Sequence, residues 1–302
     1  MIRIKKSRWA KHFAIGFFTL ISVSFTFWLW SQNVIPKYSG NQIDWKNQWR
    51  PLFLGVEYTF GDVALPRKLK IHAVRIDLTE PTIKFKVTPP NGSAPGEASS
   101  QTTSQFLESQ KCQVAINGSM FEPAQRFSGK PVEILGWSMS NGVEYSKIAK
   151  NLHSIGIDKD NNISYGRPAV TNSGEVQHGL GGLWMVLQDG ELTNDKERKL
   201  DPRTIIGSSK DSKYLFLVVI DGRQPGFSEG VHPVEAGRIM KELGAWNALN
   251  LDGGGSSTLV VENQIGMGVV VNRPCSPFLK GIQRPVANHF GVIAKEISQT
   301  SH

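Results

Sequence analysis

YLFLVVIDGRQPGFSEGVHPVEAGRIMKELGAWNALNLDGGGSST, residues 214–258, decides how this chain folds. It opens on a continuous apolar run, Tyr214–Ile220, of the kind a strand covered on both faces requires. HPVEAGRIMKELG follows, with Pro233 suited to a first helical turn and Gly244 to a stop. Ala236, Ile239, Met240 and Leu243 recur at i, i+3, i+4 and i+7 and form one apolar face. NALNL then reads as a second buried strand. Strand, helix and strand in that order predict two parallel neighbours joined by a right-handed crossover. Parallel strands end at one edge, so Asp221 and Asp252 are expected side by side where open sheets bind their ligands.

Outward from this unit the pattern is mostly β. HAVRIDLTEP (72–81) and TIKFKVTPP (82–90) alternate apolar and polar residues and stop at prolines, as strands do. NGSAPGEASSQ (91–101) is a loop, SQFLESQK (104–111) a short helix, and CQVAINGSMF (112–121) a buried strand ending at Asn117-Gly118. Asn141-Gly142, Asp160-Asn161-Asn162 and Asp189-Gly190 are placed as hairpin turns between short strands. The expected class is α+β: a large mixed β-sheet core with a few helices, preceded by one N-terminal transmembrane helix.

The charge supports that last element. The 302 residues carry a formal net charge of +8, but Arg3, Lys5, Lys6, Arg8 and Lys11 precede any acidic residue. The remainder is nearly balanced and has no basic cluster interleaved with aromatics, so a nucleic-acid partner is not expected. From Phe13 to Trp30 there is no charge, a length near the ~20 residues that cross a bilayer. The basic flank and the tryptophans at the far end predict an uncleaved anchor with a cytoplasmic N-terminus. A cleaved signal peptide is the rival, disfavoured because its apolar core is usually only ~7–15 residues. The expected organisation is a basic tail (1–12), an anchor (13–30), a stalk (31–50) and a globular domain (51–297) outside the cytoplasm. Export permits a bridge between the two cysteines, Cys112 and Cys275; two free thiols are the alternative.

Chemistry concentrates after the second buried strand. DGGGSST (252–258) fits neither G-x-G-x-x-G nor the P-loop, lacks the glycine that a nucleophile elbow needs at Thr258, and runs into an alternating strand instead of a helix. A tight turn would explain one glycine. Three glycines beside a carboxylate and hydroxyls point instead to a nest of N–H groups for an anion or a sugar. Asn117, Gly118, Arg203, Asp221, Arg223, Asn272, Arg273, Arg284, Asn288 and His289 also stand beside apolar runs.

AINGSMF, PRTIIG, VVIDGR, ALNLDGGGSSTLV and RPVANHFGV, in that order over 111–294, resemble the signatures of the phosphodiester glycosidase family. The resemblance implies hydrolysis of a sugar-1-phosphodiester at the glycosidic C–O bond; no cofactor is expected, and no metal site, since no clustered His/Asp ligand spacing appears. Its substrate would be a sugar phosphate or polysaccharide of the cell envelope or exopolysaccharide type. Phosphate leaves readily, so donors on the phosphate matter more than a general acid. Arginine forks match phosphate oxygens, which assigns Arg203 and Arg223 there, with Arg284 third. A carboxylate works at the anomeric carbon: Asp252 first, Asp221 second. Asn117, Gly118, Gly253, Gly254, Ser256, Ser257 and Asn288 would complete the substrate site, with Trp184 or Phe121 as a stacking platform. Gln283 stands where family members more often have an acidic residue. Two rivals use the same residues differently: a non-catalytic binder of envelope polysaccharide, and a phosphodiesterase that cuts P–O.

Overall fold

A computed structural model describes residues 43–45, 48–147, 151–167, 169, 175–193, 199–276 and 280–297. The basic tail, the proposed membrane anchor and most of the stalk lie outside the described residues. Among the described residues no helix is long and apolar enough to cross a membrane.

The core is one eight-stranded sheet. At its centre lie Leu69–Asp77, Tyr214–Ile220, Arg203–Ser208, Asn247–Asn250 and Trp184–Gln188, in that spatial order. Every described strand pairing in it is antiparallel, which corrects the expectation of a mixed sheet. Tyr214–Ile220 and Asn247–Asn250 do run the same way, but they are not neighbours. Arg203–Ser208 sits between them, pairing Arg203 with Ile220 on one side and Ile205 with Asn250 on the other. A short reversal at Ser209–Lys213 returns the chain along its neighbour, so the pair forms by hairpin, without a crossover. The common edge survives this correction, because two strands that flank a third antiparallel strand end on the same side.

The apolar run at Tyr214–Ile220 splits by the two-residue period of a strand. Phe216, Val218 and Ile220 face the helix Pro233–Leu243, packing with Ala236, Ile239, Met240 and Leu243. Leu215, Leu217 and Val219 face the opposite way, into the larger core with Val114, Ile116, Ile155, Ile157 and Phe290. Each such side chain, fully buried, contributes ~1.5–3 kcal/mol. Upstream of the first strand, Trp45 is buried in the helix-side core.

Two five-stranded sheets cover the larger core, and a small three-stranded one packs around a cluster of its own with Ala98, Phe121, Val132 and Ile134. One five-stranded sheet has Val114–Asn117 at its middle, between Leu259–Glu262 and His289–Ile293. The other contains the meander read from the sequence. Asn141-Gly142 and Asp189-Gly190 both adopt positive φ at the expected turns, the latter on the main sheet. Asn161 does so between Ser154–Asp158 and Ile163–Gly166. The expected short helix spans Thr103–Gln110, capped by the Thr102 side chain, and buries Phe106 and Leu107 against Ala115 and Val260.

Both cysteines are free, which removes the bridge as an option. Cys112 precedes the strand Val114–Asn117, so it lies at the opposite end from Asn117. It packs with Phe106 and Leu107, while Cys275 lies near Arg223.

Candidate active site

Asp252 leaves its strand at the edge shared with Arg203 and Asp221. Its N–H donates to the Gly118 carbonyl at 3.0 Å, and its own carbonyl accepts from Asn117 Nδ2 at 2.8 Å. Asn117 Oδ1 also accepts from Thr204 Oγ1 at 2.7 Å and Thr258 N at 3.1 Å. One buried asparagine thus ties both ends of the glycine loop to the sheet. The loop turns back through a short 3-10 segment, Gly254–Ser256. Gly254 has φ +60, and a Cβ on Gly253 would stand 2.7 Å from the Pro202 carbonyl oxygen. Glycine is needed at both positions, for conformation at one and clearance at the other.

That turn brings Ser256 back onto the carboxylate. Ser256 Oγ donates to Asp252 Oδ2 at 2.5 Å, and Arg284 Nη2 lies 3.4 Å from the same oxygen. Arg284 also donates from Nε to Ser256 Oγ at 3.0 Å, and its guanidinium lies 5.4 Å from the Phe121 ring centroid. The side chains of Asp252 and Arg284 remain 16% and 19% exposed, so the pair is packed yet reachable. Burial raises the Asp252 carboxyl above its ordinary value, while Ser256 and Arg284 pull it back. A carboxylate held this way is a stronger base than an exposed one.

Arg223 flanks the loop from the other side. A Cβ on Gly254 would stand 3.0 Å from Arg223 Nη1, so the guanidinium lies directly against bare backbone. Its Nε donates to Asp201 Oδ1 at 2.5 Å, and 44% of the side chain remains exposed. That hydrogen bond to Asp201 is the main cause of its raised pKa. The arrangement offers an anion one open guanidinium fork and offers a reacting carbon one basic carboxylate.

All these segments from Asn117 to Arg284 fall inside residues 110–293, over which the chain matches the phosphodiester glycosidase family. The chain belongs to that family.

The fold recurs in solved structures at low identity. The catalytic domain of zebrafish N-acetylglucosamine-1-phosphodiester alpha-N-acetylglucosaminidase, auto-inhibited by its pro-peptide, superposes with TM-score 0.63 at 21% identity, over 82% of this chain and 85% of that one. A hypothetical protein from Synechocystis gives TM-score 0.61 at 16% identity, over 82% of this chain but only 64% of that chain. A protein from Burkholderia pseudomallei gives 0.53 at 14%, over 75% and 74% of the two chains. At these identities the likeness concerns the fold alone. No curated protein matches.

Within this phosphodiester glycosidase fold the other candidate residues lie deeper. Asp221, 1% exposed at its side chain, accepts from Asn272 Nδ2 at 2.9 Å and from the Arg273 N–H at 3.0 Å. His72 Nε2 lies 3.6 Å from its other oxygen, and His72 Nδ1 is 2.8 Å from Tyr58 Oη. Asn272 in turn accepts from Leu259 N and donates to the Ser257 carbonyl. Asp221 is therefore bound into the wall behind the loop. Arg203 is buried too, and donates to the carbonyls of Val231 and Lys199.

Asn288 donates to Ser119 Oγ and Ser138 Oγ and accepts from Ser119 N. A Cβ on Gly118 would stand 2.4 Å from Asn288 Oδ1, which explains the glycine. Ser257 Oγ is buried without a hydrogen-bond partner. Trp184 packs in the helix-side core, and His289 is buried, stacked on Phe106. Arg273 lies over Phe227. Gln283 is turned to the first turn of the helix Thr103–Gln110, where it pairs with Ser104.

Asp201, the partner of Arg223, escaped the sequence reading. It stands two residues before Arg203, and its side-chain role appears only when the chain is folded. Among the described residues, no group of three or more His, Cys, Asp or Glu side chains could hold a metal ion.

Proposed function

We propose that this domain hydrolyses a sugar-1-phosphodiester at the glycosidic C–O bond, on a glycan of the cell-envelope or exopolysaccharide type. Water supplies the oxygen that ends on the anomeric carbon, and a phosphomonoester leaves with the bridging oxygen. Family membership supports a glycosidase-type hydrolase. The observation that carries the reading is the pairing of Asp252 with Ser256 and Arg284 beside the open fork of Arg223.

The two arginines take different parts. Arg223, the more exposed, grips the phosphodiester oxygens and stabilises the charge that the leaving phosphate gains. Arg284 is committed to Asp252 and Ser256, and holds the carboxylate in orientation. Asp252 acts at the anomeric carbon, by direct attack or by taking a proton from water; the configuration of the product distinguishes these, since attack retains it and activation of water inverts it. Asp221 anchors the Asn272–Arg273 segment from behind. The stretch 13–30 anchors the domain to the membrane, on the outer side, a placement that its uncharged length and basic flank support.

Hydrolysis in oxygen-18 water, with a sugar-1-phosphodiester as substrate, tests the bond. Label in the sugar supports C–O cleavage; label in the phosphate would make the protein a phosphodiesterase. No turnover across a panel of such diesters would favour the binding role.

A further inference from the structure

The main sheet has a second edge. Arg203–Ser208 carries Arg203 at the Asp252 edge and Ser208 at the other, about 17 Å away at ~3.4 Å per residue. There the edge strand Ile163–Gly166 of a five-stranded sheet, together with Ser208, Ser209 and Asn247, lines a cavity of about 460 Å³. That volume lies within the ~300–1,000 Å³ of small-molecule sites. None of its lining residues belongs to the Asp252 site.

The wall is built from three kinds of group. Tyr165 and Trp246 supply aromatic surface. Ser164, Ser208, Ser209 and Ser212 line the same space; Ser164 and Ser209 already hydrogen-bond within the chain, and a hydroxyl so engaged still accepts a further bond from a polyol.

The charge is positive. Lys210 Nζ sits 4.4 Å from the Trp246 ring centroid. Arg167 lies on the His153 imidazole, with Nε 3.0 Å from Nε2. Burial, then Arg167, lowers the His153 pKa, so the imidazole accepts from the guanidinium without adding charge at neutral pH. Asp189 is the one carboxylate among the described wall residues, and it leaves an excess of cation.

We propose that this cavity is a second binding site, distant from Asp252, which takes one anionic sugar unit: a hexose phosphate or a hexuronate. Aromatic surface and serines recognise the sugar, and Lys210 and Arg167 its charge. The inference stands apart from the hydrolytic reading, since binding here requires no cleavage.

Calorimetric titration of the full-length Asp252→Asn protein in detergent tests it, with glucose 6-phosphate, glucuronate, glucose and inorganic phosphate as probes. At least one anionic sugar should bind, with glucose and phosphate at least tenfold weaker. Lys210→Ala and Arg167→Ala, both exposed positions, should each weaken binding at least fivefold. Arg223→Ala should leave it unchanged. Absence of binding by both anionic sugars overturns the proposal. So does equal binding of phosphate or glucose, or loss of binding on Arg223→Ala with none on Lys210→Ala.

Discussion

Arg284 engages Asp252 through a shared serine: Nη2 lies 3.4 Å from Asp252 Oδ2, while Nε lies 3.0 Å from Ser256 Oγ, which itself donates to that oxygen. The arginine therefore fixes both the position of the carboxylate and part of its proton affinity.

This gives a pH prediction with a definite sign. Burial raises the Asp252 pKa and Arg284 lowers it. If the ionised form works, kcat falls as pH drops through a value above the ordinary carboxylate pKa of about 3.9. Arg284→Ala removes a charge that favours the carboxylate, so the acid limb should move to higher pH. A limb that stays in place would show that Arg284 does not govern Asp252.

Asp252→Asn should abolish most turnover, about 10²-fold or more, yet leave thermal stability equal or higher at neutral pH. A carboxyl whose folded pKa is raised favours folding in its protonated form, and that contribution is lost as pH rises through the folded pKa. Kinetics and calorimetry on the same preparation separate the two effects; a large drop in Tm would mean that the carboxylate is structural.

Arg223→Ala should cost about 2–5 kcal/mol in transition-state stabilisation with a sugar-1-phosphodiester, the range for truncating one partner of a buried charge pair, and toward its low end because Arg223 is partly open. With a neutral aryl glycoside the loss should be much smaller, since nothing there meets the fork. Lysine should rescue only in part, because an ammonium cannot bind two oxygens in one plane. Equal losses on both substrates would remove Arg223 from phosphate recognition.

Asp221→Ala leaves the donors of Asn272 and Arg273 without their acceptor, so stability should fall by about 1–3 kcal/mol. Denaturant unfolding reads this directly. Unchanged stability with abolished turnover would instead place Asp221 in the chemistry.

For the anchor, the full-length protein should remain in the membrane fraction after a high-salt wash and keep its basic tail. A soluble mature form beginning near Ser31 would show cleavage.

Much of the local structure was legible from the chain. The helix Pro233–Leu243 announced itself by proline, spacing and glycine, and the turns at Asn141, Asn161 and Asp189 by residues that tolerate positive φ. The insertion of Arg203–Ser208 between Tyr214–Ile220 and Asn247–Asn250 was not legible, because strand order depends on which apolar faces find each other. Nor does residue type separate a ligand from a rivet. Asn117 and Asn288 are consumed by internal hydrogen bonds, whereas Arg284, third among the arginines on sequence grounds, touches the carboxylate.

The strand His289–Ile293 has one more consequence, for the order of folding. It is the neighbour that joins Lys84–Val87 to Val114–Asn117, so early parts of the domain wait on one of its last-synthesised segments. Until residue 293 has emerged, Val114–Asn117 is paired on one side only, with Leu259–Glu262. Pairings so distant in sequence slow folding, and a nascent chain cut short before His289 would hold most of the named site residues and a sheet that lacks one of its middle strands.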